Sequence, residues 1–338
     1  MVTDVRESAC AGVLAVPSRS ARWHDDGMTQ RLMLLDSASL YFRAFYGVPD
    51  QRRSPDEPAT NAVRGFLEMV STLVTTYRPT HLVACWDNDW RPAFRVNAIP
   101  TYKTHRLSEG SLVQEESPEE LTPQVPLIVD ALRALGIARI GCDGFEADDV
   151  IGTLTHRARG RQLVDVITGD RDLFQLVDDE AGVRVLYTAR GGVRDPDVVT
   201  QEFLQTKYSV PNGQAYADMA TLRGDTSDGL PGVAGIGEKT AAILINRYGD
   251  LAGLRRALAE GDPQIKGAQR KRLEAATAYL DVAPVVVQVA LDAPIPDFDA
   301  SLPRQVGDVT LLSSLASGYG LTNPLNRVLN ALGLGDND

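Results

Sequence analysis

The sequence predicts an α/β fold: a mostly parallel central sheet flanked by helices, with a smaller helical region after it. Three short apolar runs of strand length are separated by segments of helical periodicity, and alternating strands and helices imply a parallel sheet whose strand ends share one edge. Beyond residue 222, a glycine-rich hairpin opens a further helix. A chain of 338 residues, 43% hydrophobic and 23% charged, is long enough for one large or two ordinary domains.

The elements follow in order. Residues 1 to 27 lack periodicity and Met28 stands just before the first convincing strand, so this extension reads as disordered or as the result of a start codon placed too far upstream. The first strand, "RLMLLDS", ends at Asp36; a helical pattern runs from Ala62 to Tyr77. The second strand, "HLVACWDND", ends at Asp87, and a helical pattern covers Val125 to Leu135. Next, "GFEADDVIGTLTHRA" sets Glu146, Asp148 and Asp149 at the front of a helix whose Val150, Ile151, Leu154 and Ala158 have core spacing. The third strand, "LVDVITGDRD", ends at Asp170 and Asp172. A helix is expected from about Glu238 to Tyr248, and Leu311 to Leu332 reads as helical cover.

Bulk properties narrow the function. A net charge of -11 argues against a protein coated with nucleic-acid-binding residues, though not against a local basic channel. Cys10, Cys85 and Cys142 are scattered, with no zinc or redox spacing, and Cys85 and Cys142 read as ordinary apolar residues of a reduced, cytoplasmic protein. No apolar run approaches membrane-spanning length, and the charges near the start are wrong for a secretory signal.

The acids carry the chemistry. One or two carboxylates at a helix start serve as caps, and a lone strand-end Asp is commonly a turn residue. Three strand-end acids and a carboxylate triplet, brought to one edge, point instead to a metal site outside the carboxyl ends of a parallel sheet. Oxygen-only ligands without His or Cys select hard metals, magnesium or manganese ahead of calcium, and so many carboxylates suit two ions serving in-line displacement at a phosphodiester.

Two further segments suit a phosphodiester substrate. After Asp87, Arg91, Arg95, Lys103 and Arg106 are interleaved with Phe94 and Tyr102: cations for phosphate, aromatics for stacking an unpaired base. The alternative for this loop is a solvated stretch of long side chains. In "LRGDTSDGLPGVAGIGEKTA", Asp225 and Asp228 share a face, and the following glycines, free N–H groups and Lys239 can approach an anion.

Taken together, "GFEADDVIG", "TGDRDLFQLV", "FRVNAIPTYKTHR" and "GDTSDGLPGVAGIGEKTA" resemble the bacterial and phage 5′ nucleases, relatives of flap endonucleases and of the nuclease domain of DNA polymerase I. The resemblance runs from about Leu32 to Asp292. It implies a PIN-like, resolvase-like nuclease core at 28–200 with a helical arch at about 91–123. A helix-three-turn-helix DNA-binding region follows at 201–292, and a C-terminal cover at 293–338. By that likeness Asp36, Asp87, Glu146, Asp148, Asp149, Asp170, Asp172, Asp225 and Asp228 hold two or more magnesium or manganese ions, directly or through water. Lys103 and Arg106, with Arg95, act on the scissile phosphate, and Asp149→Asn is expected to abolish cleavage while sparing much of the duplex affinity. Tyr102, Gly232, Gly235, Gly237, Lys239 and Thr240 fall on the DNA-binding side, and in the family this hairpin can also hold potassium. The implied substrate is DNA with a 5′ end or flap, or an RNA–DNA primer, and the implied enzyme is a freestanding monomer. The other readings are a non-catalytic binder of branched DNA, a PIN-type ribonuclease, and a phosphotransferase with an Asp nucleophile in "LLDSAS". Two residues depart from the family pattern: Ser37 replaces Gly after the first Asp, and Gly229 replaces Asn after the Ser-Asp pair.

Overall fold

The structure is a computed structural model and describes residues 30–335, apart from 53, 55, 56 and 113; the extension expected at 1–27 lies outside the described residues. In chain order the elements are β1 (Arg31–Asp36), α1 (Ser37–Gly47), α2 (Asn61–Tyr77), β2 (His81–Trp86), α3 (Ala93–Ala98), α4 (Gln124–Leu135), β3 (Ala138–Gly141), α5 (Ala147–Ala158) and β4 (Leu163–Thr168). They continue with β5 (Val183–Gly191), β6 (Asp195–Val199), α6 (Gln201–Tyr208), α7 (Gly213–Arg223), α8 (Glu238–Tyr248), α9 (Leu251–Ala259), α10 (Gly267–Ala275), α11 (Thr277–Val287), α12 (Val309–Gly318) and α13 (Thr322–Ala331).

One six-stranded sheet runs in the order β3-β2-β1-β4-β5-β6, parallel throughout except for the antiparallel β6. Its central strands are apolar on both faces because helices cover both. Alternate residues divide the core: Leu32, Leu34, Val83, Cys85, Val164 and Val166 meet α5 and α7, while Met33, Leu35, Leu82, Ala84 and Ile167 meet α2, α4 and α13. Each fully buried Val, Leu, Ile or Met among them contributes roughly 1.5–3 kcal/mol. α4 stops at Gly136, whose left-handed φ of 77° suits a helix C-terminus. The expected parallel sheet is therefore present, with α8 at its expected bounds and α12 and α13 packed over α2 and α4.

The helical content of the arch segment is confined to the six-residue α3 and one 3-10 turn at Thr104–Arg106. Pro92 and Pro100 bound the first, and the polar stretch after it has no apolar face to bury. Among the described residues, no helix is long and apolar enough to cross a membrane.

One buried acid belongs to no site. Asp165, inside β4 and 1% exposed, takes 2.7 Å ion pairs from both Arg31 and Arg184. Losing one partner of a buried pair costs about 3–5 kcal/mol, and the partial exposure of both arginines lowers this to about 2–3 kcal/mol. Asp165→Ala should lower the urea midpoint accordingly at constant slope; a change below about 0.5 kcal/mol would show that the pairs contribute nothing.

Candidate active site

The parallel sheet delivers its strand-end acids to one edge. Asp36 ends β1 and caps α1, accepting the Ser39 N–H at 3.1 Å and the Thr168 hydroxyl at 2.7 Å. Burial pushes its carboxyl up to about 7, the two hydrogen bonds oppose that, and the charges of Asp87 and Asp170 add to it. Asp87, just past β2, accepts the Ala147 N–H at 2.8 Å, which ties β2 to the start of α5. Its carboxyl is also raised, first by burial and then by Glu146. Ser37, the departure beside Asp36, is buried with its Oγ unpartnered among the described residues.

The triplet at the start of α5 divides. Asp148 turns to the strand-end acids: burial, then the charges of Asp36, Asp170 and Glu146, raise its carboxyl well above the usual range. Glu146 faces the arch segment, where Lys103 Nζ pairs with its Oε2 and Tyr102 donates to its Oε1 at 2.7 Å. Asp149 is fully buried and fully engaged. It takes Arg95 on both oxygens at 2.7 Å, the Glu146 N–H at 3.1 Å and the Ala290 N–H at 2.8 Å.

Asp170 joins a second set. The carboxyls of Asp172 and Asp228 are raised by burial first; Asp170, Asp228 and Asp225 act on Asp172 next, whereas Lys103 and Arg106 partly relieve Asp228. Glu146, Asp148, Asp172, Asp225 and Asp228 line one cavity of about 20 Å³ with Arg223. Among the described residues, no three His, Cys, Asp or Glu side chains are closed into a metal-ligand cluster. A cavity of about 1140 Å³ lies elsewhere, lined by Arg43, Arg64, Arg194 and Arg327, and includes none of these acids.

Four placements correct the sequence reading. Arg95 is 2% exposed and bonded to Glu146, Asp149 and the Val286 carbonyl, so it is a buried tie rather than a group that meets substrate. Asp149 spends its oxygens on Arg95 and backbone N–H groups and has none left for a metal. Tyr102 is 3% exposed with its hydroxyl on Glu146, leaving no face for a base. Gly232 is buried, and a Cβ there would lie 2.4 Å from the Arg223 carbonyl oxygen, so it makes the turn rather than a binding surface.

Gly235, Gly237 and Lys239 are exposed at the hairpin, and Thr240 is half-buried. Gly237 caps α8 without a side-chain acceptor, so the first N–H groups of α8 remain free for an anion. Sequence reasoning missed Arg223, which stands among the acids and pairs with Glu238 at 3.3 Å and Asp225 at 3.7 Å. Its place directly before the Gly-Asp of the acidic motif was the available signal. It also missed Glu115, half-buried, whose carboxyl is raised by burial while the nearby Arg106 and Lys103 oppose the shift; its loop had no periodicity to place it.

Residues 31–209 match the family model of the 5′-3′ exonuclease N-terminal resolvase-like domain, and residues 211–308 match that of its C-terminal SAM fold. A 5′-3′ exonuclease of Streptomyces coelicolor is 54% identical over 303 residues, covering 89% of this chain and 99% of that protein. One from Mycobacterium tuberculosis is 45% identical over 315 residues, covering 90% and 98%. The fold is shared with the bacteriophage T5 D15 flap endonuclease, solved in complex with DNA and metal ions. That match has a TM-score of 0.59 at 17% identity and covers 90% of this chain and all of the phage protein. Two family models spanning nearly all of the described residues, and relatives matched over almost their whole length, agree with the acidic sheet edge: the chain belongs to the 5′-3′ exonuclease family.

Proposed function

We propose that this protein hydrolyses phosphodiesters at the 5′ ends and flaps of branched DNA with the help of bound magnesium or manganese. The observation that carries the reading is the pair of acid sets meeting at Asp170, with Lys103 and Arg106 set against them. The donor set fits a hard divalent cation: it is all oxygen, and a cation would offset the repulsion that raises Asp36 and Asp148. Asp36, Asp87, Asp148 and Asp170 would hold one ion; Asp170, Asp172, Asp225 and Asp228 would hold a second. Such ions supply Lewis acidity for activating water and for stabilising the departing 3′ oxygen.

The chain's own residues do the rest. Arg106, on Asp228, and Lys103, itself largely buried with its ammonium on Glu146, set two positive groups beside the acids where a phosphate oxygen gains charge. The free N–H groups of α8, with Lys239 and Thr240, grip duplex phosphates without reading sequence. That indifference to bases supports action on RNA–DNA primers as well as on DNA. The hairpin carbonyls are candidates for potassium, and Arg272, 3.5 Å from the Gly235 oxygen, competes for one of them.

A time course on a 5′-flap duplex, with product lengths resolved and with or without chelator, tests the reading. Magnesium-dependent release of short 5′ products is expected. Tight binding without cleavage would favour a non-catalytic junction binder.

Metal uptake should also be visible without substrate. Asp36 has a folded-state value near 7 against 3.8 unfolded, so between these values the native state binds more protons and stability falls as pH rises. A divalent ion must displace those protons. Magnesium or manganese should therefore raise the melting temperature more at about pH 8 than at about pH 6. An equal shift at both values would show that the cation binds elsewhere.

A further inference from the structure

The helical region that carries Asp225, Asp228 and the hairpin enters and leaves the sheet region at one residue, Gln175. At the entry, Gly213 is the first residue of α7 and lies so close that a Cβ there would stand 2.2 Å from the Gln175 carbonyl oxygen. At the exit, the Gln175 side chain holds the end of α11: its Nε2 donates to the Val287 carbonyl at 3.0 Å, and its Oε1 accepts the Val289 N–H at 3.0 Å. The same Nε2 donates to the Asp172 carbonyl at 2.7 Å. A carboxamide fits this place because its three partners require two donors and one acceptor.

The last carbonyls of a helix have no partner within it, and those of α11 are met by side chains from the sheet region: Val286 by Arg95 and Val287 by Gln175. Farther along the exit, Thr153 Oγ1 accepts the Ala293 N–H at 3.0 Å and donates to the Ala290 carbonyl at 3.2 Å, remote from the acids. Gln175 differs from Thr153 in standing on the 3-10 turn Asp172–Leu176, which begins with an acid of the second set. On the helical side, the Tyr279 hydroxyl of α11 donates to the Thr221 carbonyl of α7 at 3.0 Å. α7 ends at Arg223, directly before the Gly-Asp that brings Asp225. A continuous path of hydrogen bonds and helix therefore joins Asp172 to Asp225 through Gln175.

We infer that Gln175 is a positioning residue for the second divalent ion: it fixes Asp172, on the sheet side, against Asp225 and Asp228, on the helical side, and so sets the gap that these carboxylates close around. The inference rests on the nuclease reading and extends it. Without the carboxamide, Val287 and Val289 lose their partners and the two sides can drift apart. The first ion is spared, because Asp36, Asp87 and Asp148 all come from the sheet edge and the start of α5, on one side of the clasp.

The test is Gln175→Met, which keeps the length of the side chain and removes its hydrogen bonds. Groups that orient a metal ligand are worth about 10–100-fold in affinity, so of two manganese uptake events read by calorimetry without substrate, one should weaken by about that factor and the other by less than about 2-fold. The single-turnover rate on a 5′-flap duplex should fall about 10–100-fold at limiting magnesium and return to within about 3-fold of wild type at saturating magnesium. Duplex affinity in chelator should stay within about 2-fold, since hairpin phosphate contacts are untouched. Thr153→Val is the control: it loosens the same exit away from the acids, so it should lower the urea midpoint while keeping the magnesium dependence within about 2-fold of wild type. If Gln175→Met does not fold, Gln175→Glu decides the matter, because it keeps the bond from Val289, loses both donations and should show the same split between the two uptake events. Both events weakened alike, neither weakened, fewer than two events in the wild type, or equal shifts in magnesium dependence for the Gln175 and Thr153 variants would overturn the inference. A wild type that cleaves no flap sinks the nuclease reading and this inference together, whereas a cleaving wild type with unaltered manganese uptake in the Gln175 variants sinks the inference alone.

Discussion

Asp148→Asn should abolish cleavage while leaving the protein as stable as the wild type, or more so, at neutral pH. Asp148 stands between both acid sets, repelled by Asp36, Asp170 and Glu146, with no ion pair of its own among the described residues. Its folded value is raised above 3.8, first by burial. The native state therefore binds more protons than the unfolded chain above that pH, and the cost of ionising Asp148 grows as pH rises toward neutrality. Asparagine carries no charge at any pH and so escapes that cost. The variant should gain relative to wild type as pH rises from about 4, while added magnesium should stabilise the wild type more than the variant. Losing one ligand at a centre that organises water and leaving group should cost at least about 10²–10³-fold in single-turnover rate. The informative result is the combination. Lost activity with a lowered melting temperature in chelator would make Asp148 a structural residue, and retained activity would remove it from the site.

How far such an assignment was legible in the sequence follows from what fixes each residue. The convergence of Asp36, Asp87 and Asp170 was legible because parallel strands joined through helices must end on one edge, and these strands were long, apolar runs. β3 is only four residues, and β6 contains a proline and two acids, so neither carried a strand pattern strong enough to read. The triplet was legible as a group but not member by member. Neighbouring helix positions point about 100° apart, so Asp148 and Asp149 cannot both face the sheet edge, yet nothing local says which one turns inward. That choice is made by Arg95, 54 residues away in sequence, whose guanidinium meets Asp149 across the interior. Tyr102 misled for a related reason: aromatics between cations suit stacking, and only its clustering with Ile99, Leu230 and the α11 residues Ala283 and Val286 shows that its ring is enclosed. Gly229 was visible as a departure from the family pattern, but the carbonyl of Thr101 that lies against it is a tertiary contact no local pattern shows.

Asp149 carries the opposite expectation, and it replaces the one drawn from sequence. Read as a metal ligand, Asp149→Asn should abolish cleavage and spare the fold. In the structure its carboxylate instead joins three parts of the protein: α3 through Arg95, the start of α5 through the Glu146 N–H, and the segment after α11 through the Ala290 N–H. Burial opposes the charge of Arg95, but Glu146 and Asp149 outweigh it and keep the guanidinium protonated. Asp149→Ala would strand that guanidinium at 2% exposure, and Arg95→Ala would strand the carboxylate, so each should cost about 3–5 kcal/mol in urea denaturation. Removing both charges together, as Arg95→Met with Asp149→Leu, should recover much of that loss, because the expense lies in the unpaired charge rather than in the missing pair. Manganese affinity, measured by calorimetry on the folded fraction, separates the two accounts. It should change little in the double variant and fall sharply in Asp148→Asn. A double variant that folds well and binds no manganese would return Asp149 to the metal site.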